Sequence, residues 1–303
     1  VTMGFAAAPA PLYVFYVDEQ GWSSFVITVK TSRLGVGTGQ DGPTRRAGRG
    51  VGHTVCREDA MTALEIAVTS VAGALAARAA GATRVELCTA LEVGGVTPSQ
   101  GLVEGVLDEV GGVDADDGWQ GVHVLVRPRP GGFGYSDEER FLLRREVETV
   151  LEAGADGIVI GALTPHGEPD VELVRELADA AAAYEATVTF HRAIDLSVDP
   201  VAAIRALDGV VDRVLTSGGA PAAAAGAATI AEMVAVGGPD VLAGGGVTVD
   251  AIRALAALGV EGVHLSAKRR VVTAGRVALG VADDGGHWLT DADVIAAAAA
   301  ALA

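Results

Sequence analysis

The segment TVTFHRAIDLSVDP, residues 187–200, runs from an apolar alternation, Val188 and Phe190 about Thr189, into His191, Arg192 and Asp195. An imidazole, a guanidinium and a carboxylate at the end of an apolar strand are groups that move protons and hold anions. Other short apolar runs carry polar residues in the same way. Glu65 lies in LEIAV, Glu86 and Cys88 in RVELC, Arg127 and Arg129 after VHVLV, Thr216 and Ser217 in RVLTS, and His264 and Ser266 in GVHLS. Strand alternation puts Glu65 with Ala67, Glu86 with Cys88, Thr189 with His191 and His264 with Ser266 on common faces. Brought to one place, Glu65, Glu86, Arg127, His191 and His264 form an acid-base set with a cation. In it Glu86 or Glu65 is the base, His191 the acid, and Arg127 holds a small anionic or phosphorylated metabolite. The structural alternative is a buried ion pair, Glu65 or Glu86 against Arg127. Lys30 and Lys268 are the only lysines and neither ends a barrel strand, which disfavours Schiff-base chemistry. A divalent site from Glu65, Glu86, His191 and His264 lacks a close pair such as HxH and ranks below the acid-base reading.

Glycine-rich turns add an anion-binding element. SGGAP contains Ser217, Gly218 and Gly219, and GGGVT contains Gly244, Gly245 and Gly246. Such turns, leading into helix N-termini, bind phosphate in barrels, although tight turns also need glycine for geometry alone. EVGGVTPSQG, residues 92–101, offers Ser99 as a helix cap, and Asp199 before Pro200 reads as an N-cap with proline in the first turn. Asp195 either braces Arg192 or His191 or forms a turn. Ser136 or Asp137 opens a helix in YSDEE, and Phe133 and Tyr135 are placed to close over the site as a lid.

These residues are positioned by a repeating unit: a short apolar run, a polar or glycine-rich turn, then a stretch of helical composition. The runs fall at residues 64–68, 84–88, 122–128, 157–161, 187–191, 213–217, 241–246 and 262–266. Helical stretches such as VAGALAARAAG, SDEERFLLRREVETVLEAGA and TVDAIRALAALG lie between them, and the alanine runs at 222–228 and 296–301 are good helix formers. Eight such units predict an α/β fold, a (β/α)8 TIM barrel over residues 61–303, with the polar set at the strand C-termini. An open doubly wound sheet would more often stop at about six strands and needs a switch point that the sequence does not locate. Residues 1–60 read as an appendage. LYVFYVDEQGWSSFVITVK pairs as a hairpin about Gln20 and Gly21, and the Gly/Arg-rich stretch after it reads as linker or disorder. MTALEIAV has the form of a natural chain start.

Composition removes whole classes of function. Half of the 303 residues are hydrophobic, enough for a large core. A formal charge of -17 argues against sequence-independent nucleic-acid binding and against docking on an anionic membrane. With no membrane-length apolar run and no signal-peptide pattern, the expected location is the cytoplasm. The two cysteines, Cys56 and Cys88, make neither a disulfide framework nor a zinc site.

The blocks LEIAVTS, GATRVELCTALEVGGVTPSQGL, VLVRPRPGGFGYSDEE, GADGIVIGALTPHGEPD, TFHRAIDLSVDP, RVLTSGG, AGGGV and GVHLSA, in that order, resemble the signature blocks of the CutC family, named as copper homeostasis proteins. The resemblance spans about Met61 to Lys268. It implies a (β/α)8 barrel, a cytoplasmic protein, a homo-oligomer and a copper ion as ligand. Cu(I) favours thiolate and thioether, and this barrel offers Cys88 alone, with Ala67 where some relatives have a second cysteine. A mixed site of Cys88 with His191 or His264 is the copper arrangement these residues allow.

Overall fold

The computed structural model describes residues 12–18, 21–27, 62–114, 117–272 and 286–303. The chain divides into two compact units, Val1–Cys56 and Arg57–Ala303. In the first, strands β1 (Leu12–Asp18) and β2 (Gly21–Ile27) pair antiparallel, with Asp18 opposite Gly21. That is the predicted hairpin, except that Gly21 belongs to the strand and not to the turn; the Gly/Arg-rich stretch beyond it and the proposed start at Met61 lie outside the described residues.

In the second unit, eight parallel strands close into a barrel: β3 (Ala63–Val68), β4 (Arg84–Leu87), β5 (Val122–Leu125), β6 (Gly157–Ile160), β7 (Thr187–Phe190), β8 (Arg213–Thr216), β9 (Asp240–Gly244) and β10 (Gly262–Leu265). Each pairs with its sequence neighbour, and β10 pairs with β3 to close the ring. This is the predicted (β/α)8 barrel. Helices follow the strands because capping residues start them. Ser70 caps α1 (Val71–Ala79), Ser99 caps α2 (Gln100–Val110), and Ser136 with Glu139 forms a capping box at α3 (Asp137–Glu152). Asp170 caps α4 (Val171–Ala182), and Asp199 caps α5 (Pro200–Ala206), which has proline in its first turn.

The alanine run at 222–228 is helical only at its end, since α6 spans Ala227–Val236. Residues 222–226 instead form turns, because the Ala223 N–H donates to the Gly245 carbonyl and Gly226 passes against Ser217. A Cβ on Gly226 would lie 1.9 Å from the Ser217 carbonyl oxygen, so only glycine fits there. After α7 (Val249–Ala256) and β10, an unpredicted hairpin of β11 (Lys268–Val272) and β12 (Gly286–Thr290) precedes the closing helix α8 (Ala292–Leu302).

Alternation divides each strand. Ile66, Val85, Leu87, Val124, Ile158, Ile160, Val214 and Val263 belong to the apolar layer shared with the helices, and all are 0% exposed. The opposite face holds Glu65, Arg84, Glu86, His123, Thr189 and Arg213, all buried. Arg84 is the hub of that polar interior. Its Nε donates to Glu65 Oε2 at 2.5 Å, Nη1 to Glu261 and Gln120 at 2.7 Å, and Nη2 to Glu261 at 2.8 Å. Below the centre, His123 Nδ1 lies 3.2 Å from Arg213 Nη1, and His123 Nε2 lies 3.3 Å from Thr187 Oγ1. Burial, with the Arg213 charge beside it, pushes the His123 pKa down to about 3 and leaves the ring neutral.

Breaking a buried ion network by removing its cation strands the carboxylates. Arg84→Met should therefore lower folding stability by about 3–5 kcal/mol. Urea unfolding at pH 7 measures this, and a loss under about 1 kcal/mol would show that Arg84 is not the hub.

Candidate active site

At the C-terminal ends of the strands a cavity of about 520 Å³ opens, lined among others by Glu86, Cys88, Arg127, His191, Arg192 and His264. Glu65, Glu86 and His264 meet on three consecutive strands of the ring, β10, β3 and β4. Their chemistry is a chain. His264 Nδ1 is 2.7 Å from Glu65 Oε1, its Nε2 is 3.3 Å from Glu86 Oε2, and the second oxygen of Glu65 is taken by Arg84.

This order shifts the titration of three groups. Burial works against the Glu65 charge, but Arg84 and His264 outweigh it and hold Glu65 well below the usual carboxylate range. Burial also disfavours charge on His264, but Glu86 and Glu65 on its two nitrogens raise its pKa. Among the described residues Glu86 has no guanidinium of its own. Burial, only partly offset by His264 and reinforced by the Glu65 charge, pushes its pKa up to about 7. Glu86 faces the cavity with a proton that leaves near neutrality, whereas Glu65 does not line the cavity and is tied to Arg84. Of the two predicted bases, the geometry favours Glu86 and makes Glu65 the group that orients His264. The ligand atoms of Glu65, Glu86 and His264 lie within 4.8 Å of one another, a spacing suited to a metal ion. Here Arg84 and His264 already partner Glu65, and His264 also approaches Glu86.

Across the cavity the charge is reversed. Arg127 is 6% exposed and pairs with carbonyls only: Nη1 donates to Val93 at 3.1 Å and Gly95 at 2.8 Å, and Nη2 to Gly131 at 3.0 Å. Its Nε is buried without a partner among the described residues. The predicted ion pair of Arg127 with Glu65 or Glu86 does not form; Arg84 takes Glu65 instead. His191 is 5% exposed, and its Nδ1 accepts from the Ala193 N–H at 3.1 Å, which places the ring proton on Nε2. Burial and the neighbouring Arg127 push its pKa down to about 3. His191 is thus a neutral Nε2–H donor at neutral pH, not the imidazolium acid expected from its residue type, and that Nε2 also lacks a partner among the described residues. Gly161 makes room for the ring: a Cβ there would sit 2.3 Å from His191 Cε1 and Nδ1. Phe133 lies against both groups, its centroid 4.8 Å from the His191 ring and 5.0 Å from Arg127 Cζ. Arg129 instead pairs with Glu139 and crosses Tyr135, bracing the loop outside the cavity.

The loop SGGAP is already filled. Asp195 accepts from the N–H groups of Ser217 and Gly219 at 3.0–3.1 Å and from the hydroxyls of Thr216 at 2.6 Å and Ser217 at 2.8 Å. The Gly218 N–H goes to Thr216 Oγ1 at 2.9 Å. The anion in this turn is the chain's own carboxylate, so Ser217, Gly218 and Gly219 do not serve as a ligand-binding cradle. Asp195 also accepts from Arg192 Nε at 2.7 Å, the brace that its spacing suggested. Gly244 ends β9, and Gly245 and Gly246 line the cavity, with Gly245 tight against Arg192.

Cys88 reaches the cavity wall but packs with Leu125 and Val159 as part of a small apolar cluster. Burial, with Glu86 and Glu92 nearby, pushes its thiol pKa up and disfavours the thiolate. Met233 is wholly buried in the core, so among the described residues Cys88 is the single sulfur at the site. That donor set does not fit Cu(I), which needs two or more soft ligands. Sequence reasoning missed Arg84, Glu261 and the service of Asp195 to the SGGAP turn. Alternation in RVELC, which puts Arg84 on the face of Glu86, was the available signal for the first.

A carboxyl that is protonated near neutrality when folded binds more protons than its unfolded counterpart between about pH 4.5 and 7, so its share of stability falls as pH rises through that window. Glu86→Gln carries no such cost. Its stability relative to the native chain should rise between pH 5 and pH 8, by on the order of 2 kcal/mol. Urea melts at both pH values test this; a pH-independent difference would contradict the assignment.

A model of the CutC family matches residues 62–269. A CutC family protein of Xylella fastidiosa, strain Temecula1, is 43% identical over 242 residues, covering 77% of this chain and 85% of that protein. One from Vibrio parahaemolyticus serotype O3:K6 is 35% identical over 256 residues, covering 80% and 99%. The crystal structure of a CutC from Streptococcus agalactiae, provisionally described as a copper homeostasis protein, is similar at a TM-score of 0.61 and 26% identity, covering 68% of this chain and 99% of that one. Family match, identity and closed barrel agree over the same stretch, and the chain belongs to the CutC family.

Proposed function

We propose that the barrel mouth is an enzyme active site that moves a proton on a small anionic metabolite. The observation that carries this reading is the buried guanidinium of Arg127, without a carboxylate partner among the described residues, in the same cavity as the Glu86–His264 pair. A buried cation without a counter-ion calls for an anionic ligand, and a carboxyl that titrates near neutrality suits general acid-base work. Glu86 accepts the proton and returns it. His264, oriented by Glu65, stabilises the ionised form of Glu86 while the substrate carries the proton. The Nε2–H of His191 donates to negative charge that develops on the substrate.

Copper binding, which the family name suggests, has weaker support in the donor set, because Cys88 stands alone and prefers its thiol form. The strongly acidic composition supports a small-molecule ligand over nucleic acid or a membrane surface. No helix of the described residues is long and apolar enough to cross a membrane. The expected setting is a homo-oligomer in the cytoplasm.

Incubation of the native protein with a panel of small anionic and phosphorylated metabolites, followed by NMR, should reveal turnover that Glu86→Gln lowers by about 10²–10⁴-fold. The rate should rise with pH through about 7 as Glu86 ionises. In parallel, anaerobic Cu(I) titration against a chromogenic chelator should find the native chain and Cys88→Ala alike. Stoichiometric Cu(I) binding lost in Cys88→Ala, with no turnover across the panel, would replace this reading by a copper one.

A further inference from the structure

The donors left over on Arg127 narrow the substrate class, an argument that rests on the acid-base reading above. A guanidinium has five N–H donors. Two Nη1 bonds and one Nη2 bond go to the carbonyls of Val93, Gly95 and Gly131. What remains is Nε–H and one Nη2–H, the adjacent edge that meets both oxygens of a planar carboxylate side-on. His191 Nε2–H is a second unpartnered buried donor, and both groups lie against Phe133. One small molecule would therefore satisfy both, offering a carboxylate to the fork and a neutral oxygen acceptor to the imidazole.

The SGGAP turn argues against a phosphate. A dianion needs a cradle of amides, and in the SGGAP turn Asp195 occupies it, while the second strand-end guanidinium, Arg192, is committed to Asp195 and Ser217. Lys268 also lines the cavity, but its ammonium sits over the Trp288 ring at 4.4 Å, and the open fork of Arg127 with the neutral His191 N–H suits a monoanion.

We infer that the substrate is a small 2-oxo carboxylate, its carboxylate on the Nε/Nη2 edge of Arg127, its keto oxygen on His191 Nε2–H, and the carbon beside the ketone presented to Glu86. Glu86 removes a proton from that carbon. The C–H electron pair becomes the C=C bond of the enolate, and the carbonyl π pair moves onto the oxygen held by His191. Return of the proton from Glu86 restores the ketone, so the exchange balances without a co-reactant.

The test uses the full chain in D₂O with 2-oxobutyrate or inorganic phosphate as probe. Proton NMR follows exchange at C3, and saturation transfer follows binding. The native protein should bind 2-oxobutyrate and exchange its C3 protons. Arg127→Lys, whose ammonium cannot form the fork, should weaken binding by about ten- to hundred-fold. Glu86→Gln should bind but not exchange. His191→Gln, with an amide N–H near the lost Nε2–H, should retain more exchange than His191→Leu. Thermal melts check that Arg127→Lys, which also anchors three loop carbonyls, remains folded, and the two His191 variants probe the site independently of it. If phosphate binds and 2-oxobutyrate does not, the carboxylate inference is overturned while the anionic acid-base reading stands. If neither anion binds the native chain, both fail. Equal binding of 2-oxobutyrate by the native chain and Arg127→Lys would overturn the fork.

Discussion

A guanidinium with no exposed surface must be paired, and Arg84 at the barrel centre is 0% exposed. Its partners, Glu65 and Glu261, fix much of what happens above them. Because Arg84 holds Glu65 ionised, Glu65 can hold His264 by Nδ1, and His264 can then present Nε2 to Glu86. The last carboxylate in the series has no guanidinium among the described residues, so burial dominates its titration. Charge is satisfied at the bottom of the chain and becomes adjustable at the top, where the cavity opens.

The far side of the mouth follows the opposite rule. Arg127 is positioned by carbonyl oxygens, which orient a cation without neutralising it, and burial lowers its pKa. His191 is kept neutral by burial and by Arg127 and is oriented by a single backbone N–H, with Gly161 clearing the space for its ring. Asp195 shows the contrasting solution: its carboxylate gathers the donors of the SGGAP turn and one guanidinium, leaving that turn structurally complete. The two regions illustrate how similar strand-end residues become either internal ties or open binding groups. The difference lies in whether a complementary charge from the same chain reaches them.

Membership of the CutC family establishes the barrel but not a reaction, since barrels host unrelated chemistries on one scaffold. Function is therefore decided by the groups in the mouth. Those groups are oxygen and nitrogen donors with one shielded thiol, a set better suited to proton transfer than to a soft metal ion.

By itself the sequence determined the periodic elements. Runs such as LEIAV and GIVIG became β3 and β6, and Ser136 and Asp199 became the caps their spacing announced, because strand alternation and capping are interactions between near neighbours. It also brought Glu86, Arg127, His191 and His264 to one mouth, since each lies at or near the C-terminal end of its strand. Tertiary structure decided the pairings. Arg84 and Glu261 stand 177 residues apart, and only closure of β10 against β3 brings the loop before β10 to the centre of the ring. It likewise sent Asp195 into the SGGAP turn, bent residues 222–226 away from helix, and left Arg127 without a carboxylate among the described residues. Residue type announces that a group can carry charge. Its actual charge depends on burial and on partners from distant strands, which no local pattern records.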